Sequence, residues 1–219
     1  MQDNITLGYW ALRGRGTMVR LALEYTGAKY SEKRYSFETA PLWFGDHKQS
    51  LGIEMPNMPY MIDGEQRFSE SNAMMRHIAR KFKPELLGNG PADEARHDHV
   101  YEVLADFTER LFEFVTDKTF EENRAKNVES INLLLGKLDT FIGPDSAFIV
   151  GDYITLVDLL AHDLFDRLEL IDKALLPQFL NVVRARESLI SAEWFQTYKQ
   201  SPKWIEKPLN GPTALISDL

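Results

Sequence analysis

The chain contains no cysteine in its 219 residues. Disulfides, thiolate metal sites and cysteine nucleophiles are therefore excluded, and any reactive sulfur in its chemistry must arrive with a substrate. Positive charge is also in short supply. The 33 acidic side chains outnumber 25 basic ones, for a formal net charge of −8, which argues against nucleic acid or an anionic membrane as a main partner. No apolar run approaches the roughly 18 residues of a membrane span, and no charged-then-apolar leader is present. The expectation is a soluble, cytoplasmic protein without membrane insertion, in which the sequon Asn4-Ile5-Thr6 stays unused. The five histidines are scattered, and in His97-Asp98-His99 residues two apart point to different helix faces, so no metal site is expected.

What is present divides into two regions. The length exceeds the usual ~100–200 residues of one domain, so one large or two small domains are expected. The first eighty or so residues alternate strand and helix signals. Ile5-Thr6-Leu7-Gly8-Tyr9-Trp10 reads as a strand ending in aromatics, and Arg13-Gly14-Arg15-Gly16 breaks it before Met18, Leu21, Ala22 and Tyr25 repeat at helical spacing. Lys29 to Ser36 reads as a second strand. Lys83-Pro84 to Gly90-Pro91 is rich in helix breakers, and from Ala92 the signal is helical. Val100, Val103, Leu104, Phe107 and Leu111 share one face, and Val128, Ile131, Leu135, Leu138 and Ile142 share another. Thr155-Leu156-Val157-Asp158 has the spacing of a capping box, with Ile154 and Leu159 as its staple. Asp158 is read as structural, and its loss is expected to cost roughly 0.5–2 kcal/mol if capping is its only role.

The densest signal lies between Met58 and Phe82. Met58-Pro59-Tyr60-Met61-Ile62-Asp63-Gly64 reads as an extended entry through a proline, a strand and an Asp-Gly turn. A second strand and a helix beginning near Glu70-Ser71-Asn72 follow. Met58 precedes a residue without an N–H, so its own backbone groups can pair with a peptide ligand, and the Met58-Pro59 bond is a candidate for the cis form. The helix start offers N–H groups and a positive dipole end to a carboxylate, and Glu70 offers a partner for an ammonium. These are the needs of a small peptide held by its termini. Taken singly, Ser71 is more often a plain N-cap and Asp63-Gly64 a plain turn; the combination with Tyr9, at the end of a strand beneath a helix N-terminus, favours a site.

Leu7-Gly8-Tyr9-Trp10, Arg13-Gly14, Leu23-Glu24-Tyr25-Thr26, Pro56-Asn57-Met58-Pro59-Tyr60, Ser71-Asn72-Ala73, Ile78-Ala79-Arg80-Lys81, Phe148-Ile149-Val150-Gly151-Asp152 and Ile154-Thr155-Leu156-Val157-Asp158 together resemble the cytosolic glutathione S-transferases, most of all the mu class. The resemblance covers essentially the whole chain. It implies an α/β thioredoxin-like N-terminal domain over residues 1–83, a linker over 84–91, and an all-α domain over 92–219 that completes an electrophile site. It also implies a homodimer that uses glutathione as co-substrate and needs no metal. The function implied is conjugation of glutathione to hydrophobic electrophiles, as in detoxification. A glutathione-dependent isomerase of the prostaglandin synthase type and a non-catalytic, crystallin-like carrier are the alternatives.

Carried over residue by residue, the resemblance makes the Tyr9 hydroxyl the hydrogen-bond donor to the glutathione sulfur. A thiol with a pKa of about 8.5 is only a few per cent thiolate at neutral pH. A donor that lowers it by two units contributes about 2.7 kcal/mol of differential stabilisation. Trp10, Trp43, Lys48, Asn57, Met58, Pro59, Glu70 and Ser71 would hold glutathione, with Asp106 reaching across from a second subunit. Leu12, Arg15, Phe112, Leu209 and Asn210 would line the electrophile, and Met55 and Arg76 would lie in the dimer interface. The pattern departs from the mu class at several places. Glu70 replaces a glutamine, and Trp43 is displaced by one position. The stretch between Tyr35 and Leu51 is several residues shorter. Met55 stands for an aromatic key residue, and Thr116 for a second tyrosine.

Overall fold

The computed structural model describes residues 5–212 and Ala214; Asn4 of the sequon lies outside them. The chain divides into two compact units, one running through Pro84 and including Ile205–Leu209, the other comprising Glu85–Trp204 and the chain from Asn210. The tail therefore departs from the expected assignment of all of 92–219 to the helical domain. Ile205–Leu209 groups with the first unit because the N–H groups of Arg13 and Gly14 donate to the carbonyls of Pro208 and Leu209, at 2.9 and 3.0 Å. Within the expected linker, Pro84–Leu87 forms a 3-10 turn.

The first unit is a four-stranded mixed sheet in the order β2-β1-β3-β4. Strand β1 (Ile5–Trp10) is central, which accounts for its apolar character. It pairs in parallel with β2 (Tyr30–Tyr35), with Trp10 opposite Tyr35, and antiparallel with β3 (Tyr60–Asp63), with Gly8 opposite Tyr60. Strand β4 (Gln66–Ser69) closes the hairpin. Helix α1 (Gly16–Thr26) ends at the left-handed Gly27, and α4 (Ser71–Phe82) follows β4. Asp63, at the end of β3, accepts hydrogen bonds from His77 and Lys81 of α4 at 2.7 and 2.8 Å. Burial alone would raise the Asp63 carboxyl, but Lys81 and His77 outweigh it and hold it below its ordinary value.

Between β2 and β3 lie two single-turn helices, α2 (Ala40–Leu42) and α3 (Lys48–Ser50), separated by a π-turn (Trp43–His47) that kinks at Gly45. Beneath this stretch Tyr35, Trp43 and Tyr60 form an aromatic layer. Trp43 stacks on Tyr60 with centroids 5.7 Å apart, and the Tyr35 and Tyr60 hydroxyls meet at 2.9 Å. Burial pushes both phenols up.

The second unit is helical: α5 (Pro91–Thr116), α6 (Phe120–Ile142), α7 (Leu156–Ile171), α8 (Leu180–Ile190) and α9 (Glu193–Lys199). Helix α7 is buried almost all round, as an apolar central helix must be. Its capping box is formed. Asp158 accepts the Thr155 N–H at 2.8 Å with one oxygen and the Ile149 N–H at 2.8 Å with the other. The apolar stripes of α5 and α6 are largely buried, at Val100, Leu104, Ile131, Leu135, Leu138 and Ile142. Val100, Leu104, Ile131 and Leu138 also line, with the exposed Val103 and with Phe107, a groove of about 690 Å³ along both helices. No helix among the described residues is long and apolar enough to cross a membrane.

Candidate active site

The register of the sheet determines which residues meet at its edge. Because Gly8 pairs with Tyr60 and Tyr60 with Ser69, the end of β1 (Tyr9, Trp10), the residues just before β3 (Met58, Pro59) and the start of α4 (Glu70, Ser71) emerge side by side. The Tyr9 ring turns back over the start of α1 and is 7% exposed. Its phenol oxygen accepts the backbone N–H of Arg15 at 3.0 Å. This contact requires glycine on either side. A Cβ at Gly14, whose φ is +42°, would fall 2.6 Å from the phenol oxygen, and one at Gly16 would fall 2.6 Å from the ring. An N–H donated onto the phenol oxygen polarises the hydroxyl and makes it a stronger donor in its turn.

Arg20 supports this loop from below and is almost fully buried. Its Nε donates to Glu32 of β2 at 2.7 Å, and its Nη1 donates to the carbonyls of Leu12 and Arg13 at 2.9 and 3.1 Å. Its guanidinium lies 5.8 Å from the centre of the Tyr9 ring. A buried charge with its pairing and hydrogen bonds in place fixes geometry more than it adds stability. Sequence reasoning missed Arg20 and Glu32. The available signal was a single arginine within the otherwise uncharged run Thr17–Leu23, which must find a partner if that helix is buried.

The Met58–Pro59 bond is cis. Met58 and Pro59 are buried and Asn57 is exposed beside them. The ladder between β1 and β3 begins at Tyr60, so the Met58 backbone lies just beyond it. Glu70, not Ser71, is the N-cap of α4; Ser71 is the first helical residue. Glu70 has φ 75° and ψ 109° and is the sole non-glycine residue at positive φ among those described. Its carbonyl accepts the Met74 N–H at 3.0 Å while its carboxylate is exposed. Strain of this kind persists where surrounding structure imposes it, and it concentrates at ligand clamps. The first-turn N–H groups of α4 precede the intrahelical ladder and form a seat for a carboxylate.

In the segment after β2, Trp43, expected to hold glutathione, is 2% exposed and packs its ring against Tyr35 and Tyr60. Phe44 takes the outward position, with its ring 6.1 Å from that of Trp10. Lys48 is partly exposed, with its ammonium 5.9 Å from the Trp43 ring.

The remaining expected site residues divide. Leu12 is buried and Arg15 partly exposed beside Tyr9. Asp106 and Phe112 lie exposed on α5, where Asp106 pairs with Arg110 at 2.6 Å. Met55 is 81% exposed, its carbonyl held by the Ser69 hydroxyl at 2.6 Å. Arg76 is half-buried on α4. Leu209 and Asn210, expected to touch the electrophile, are 6% and 2% exposed. The Asn210 side-chain carbonyl accepts a hydrogen bond from Arg167, which in turn donates to Asp163 at 2.8 Å. These two residues are built into the protein and present little surface to a ligand.

Comparisons with known proteins agree with this architecture. The family model for the N-terminal domain of glutathione S-transferases matches residues 5–80, and that for the C-terminal domain matches residues 71–193. Glutathione S-transferase Mu 2 of Macaca fuscata fuscata is 33% identical over 210 residues, 94% of each chain. The Homo sapiens Mu 2 protein is 32% identical over the same coverage. Among solved structures, the glutathione S-transferase Blo t 8 superposes with a TM-score of 0.85 at 25% identity, covering 96% of this chain and 98% of its own. Rat hPGDS in complex with a quinoline shares the fold, with a TM-score of 0.76 at 23% identity over 89% of this chain and 95% of its own. With both family domains present and mu-class relatives aligned over nearly its full length, the chain belongs to the glutathione S-transferase family.

Proposed function

We propose that this chain conjugates glutathione to apolar electrophiles and that Tyr9 activates the sulfur. The observation that carries the reading is the Tyr9 phenol set in a glycine-lined loop with the Arg15 N–H on its oxygen. The hydroxyl donates to the glutathione sulfur and favours the thiolate, and the thiol proton passes to solvent. The thiolate attacks the electrophilic carbon. A sulfur–carbon bond forms and, in a substitution, the leaving group departs as an anion with the bonding pair. The Met58 backbone, with Asn57 and Pro59 beside it, pairs with the peptide. Glu70 meets the α-ammonium, Ser71 and the start of α4 take the adjacent carboxylate, and Trp10 and Lys48 hold the glycine end. Leu12 and Arg15 border the electrophile, with Arg15 steadying developing negative charge. The sequence resemblance supports a cytoplasmic, detoxifying role for this chemistry.

The test is conjugation of glutathione to a chloronitrobenzene between about pH 6 and pH 9. Tyr9→Phe is expected to lose about 25-fold in kcat/KM at neutral pH and to recover as the thiol ionises unaided, which corresponds to a thiol pKa lowered by about two units from about 8.5. An unchanged pH profile in Tyr9→Phe refutes activation by this phenol.

The same reading makes the enzyme a homodimer in which Asp106 of a second copy reaches glutathione and Arg76 meets its symmetry mate. Two features support it. Met55 projects into solvent, and the apolar groove along α5 and α6 has the volume to take such a side chain from another copy. Met55→Ala is expected to weaken the dimer at least about tenfold in sedimentation equilibrium, because the apolar side chain that fills the groove is lost. A wild-type chain that sediments as a monomer at micromolar concentration overturns the assignment.

A further inference from the structure

The carboxylate of Glu32 begins a series of contacts that reaches the Tyr9 phenol and lies wholly within the unit that runs through Pro84. Its side chain is 8% exposed. One oxygen accepts from Nε and Nη2 of Arg20 at 2.7 and 2.5 Å, and the other accepts from Nε of Arg34 at 2.9 Å. A planar guanidinium gripped along one edge has its remaining donors aimed. Here Nη1 meets the carbonyls of Leu12 and Arg13 at 2.9 and 3.1 Å. The Arg13 carbonyl also accepts the Thr17 N–H at 3.1 Å, which ties the same peptide unit to the first turn of α1. The next peptide unit along the chain carries the Arg15 N–H, 3.0 Å from the phenol oxygen. We propose that Glu32 is a positioning residue for the reaction: through Arg20 it sets where the Arg15 N–H meets the Tyr9 hydroxyl, and so how strongly that hydroxyl donates to the sulfur. Glu32 and Arg20 act through Tyr9 and not on substrate.

The sheet register places Glu32 for this task. Glu32 pairs with Leu7, and Arg34 with Tyr9, so strand alternation puts the carboxylate on the face that Leu7 and Tyr9 share, from which Arg20 of α1 approaches. Arg20 and Tyr9 then close on a single glycine. A Cβ at Gly16 would fall 2.6 Å from the Tyr9 ring and 2.9 Å from Nη1 of Arg20, so a guanidinium that turns moves against the backbone that aims the phenol. Removal of the phenol costs about 25-fold at neutral pH, and loss of half of that contribution in free energy is about fivefold.

The inference rests on activation by Tyr9, and a double-mutant cycle separates the two. Conjugation rates and their pH profiles are measured for wild type, Tyr9→Phe, Glu32→Gln and the double variant, with the thermal midpoint as a control for folding. Glu32→Gln keeps the size of the side chain and one acceptor oxygen but loses the charge that grips both arginines. It is expected to lose about fivefold in kcat at neutral pH, to shift the acid limb of the profile upward, and to leave the KM for glutathione within about twofold of wild type. In the Tyr9→Phe background it is expected to change almost nothing, since the group it positions is already gone. A full Tyr9→Phe effect with a wild-type profile for Glu32→Gln refutes the positioning role alone, as does a loss in Glu32→Gln that adds fully to that of Tyr9→Phe. A Tyr9→Phe variant indistinguishable from wild type refutes the activation beneath it. Should Glu32→Gln not fold, Glu32→Asp, which keeps the charge but shortens the reach to Arg20, carries the same comparison.

Discussion

Asp158→Ala is expected to remove about 3–5 kcal/mol of stability, well above the roughly 0.5–2 kcal/mol of a lost helix cap. The carboxylate serves more than the helix start. One oxygen takes the Thr155 N–H at 2.8 Å and its hydroxyl at 2.9 Å, and the other takes the N–H of Ile149, nine residues upstream, at 2.8 Å. All of this lies in the buried core, where each orphaned donor costs about 1–3 kcal/mol. Urea unfolding measures the difference, and a loss confined to the capping range means that the bond to Ile149 contributes nothing. Burial pushes the Asp158 carboxyl up to about 6 against the pull of these donors. The folded state therefore binds the proton more tightly than the unfolded chain. This group's contribution is least favourable above pH 6, and it grows as pH falls from about 6 towards 4, by an amount on the order of 3 kcal/mol. Relative to the non-titrating Asp158→Asn, the wild type is expected to gain stability over that interval; a constant difference shows that the group titrates at its ordinary value.

Gly8→Ala is expected to cost at least about 3 kcal/mol, although it adds one methyl to a strand. The new Cβ would lie 2.0 Å from the Tyr60 ring across the β1–β3 pair. The ring has nowhere to retreat. It is 1% exposed, stacked on Trp43, and its hydroxyl is bound to that of Tyr35. Thermal unfolding of Gly8→Ala in the wild-type and Tyr60→Leu backgrounds tests this account. The penalty is expected to fall sharply once the ring is gone, and a penalty that persists unchanged assigns the cost to the strand backbone and not to the clash.

The parts of this protein that were legible in its sequence are those whose causes are local. Proline, the Asp-Gly turn and the period of Ala73 to Phe82 mark out β3, β4 and α4 because each acts within a few residues. The Thr155–Asp158 box is readable for the same reason, whereas the bond from Ile149 depends on a loop that no spacing encodes. Trp43 and Phe44 are adjacent aromatics, and only the kink at Gly45 and the position of Tyr60 decide which is buried. The N-cap of α4 shifts from Ser71 to Glu70 because Glu70 adopts a backbone conformation that its residue type disfavours. The surroundings of Tyr9 were legible through Gly14 and Gly16. Arg20 and the carbonyls of Pro208 and Leu209 were not, since main-chain acceptors distant in sequence leave no side-chain signature.

The return of Ile205–Leu209 to the first unit also bears on the order in which the protein can be made. A ribosome adding roughly 5–20 residues per second releases the β1–α1 loop roughly 10–40 seconds before the tail that holds it. The sheet can form in that interval, but the loop around Tyr9 is then without two of its hydrogen bonds. A nascent chain, or one truncated before Ile205, can therefore form the sheet while the loop beside Tyr9 still lacks the bonds from Arg13 and Gly14 to the Pro208 and Leu209 carbonyls.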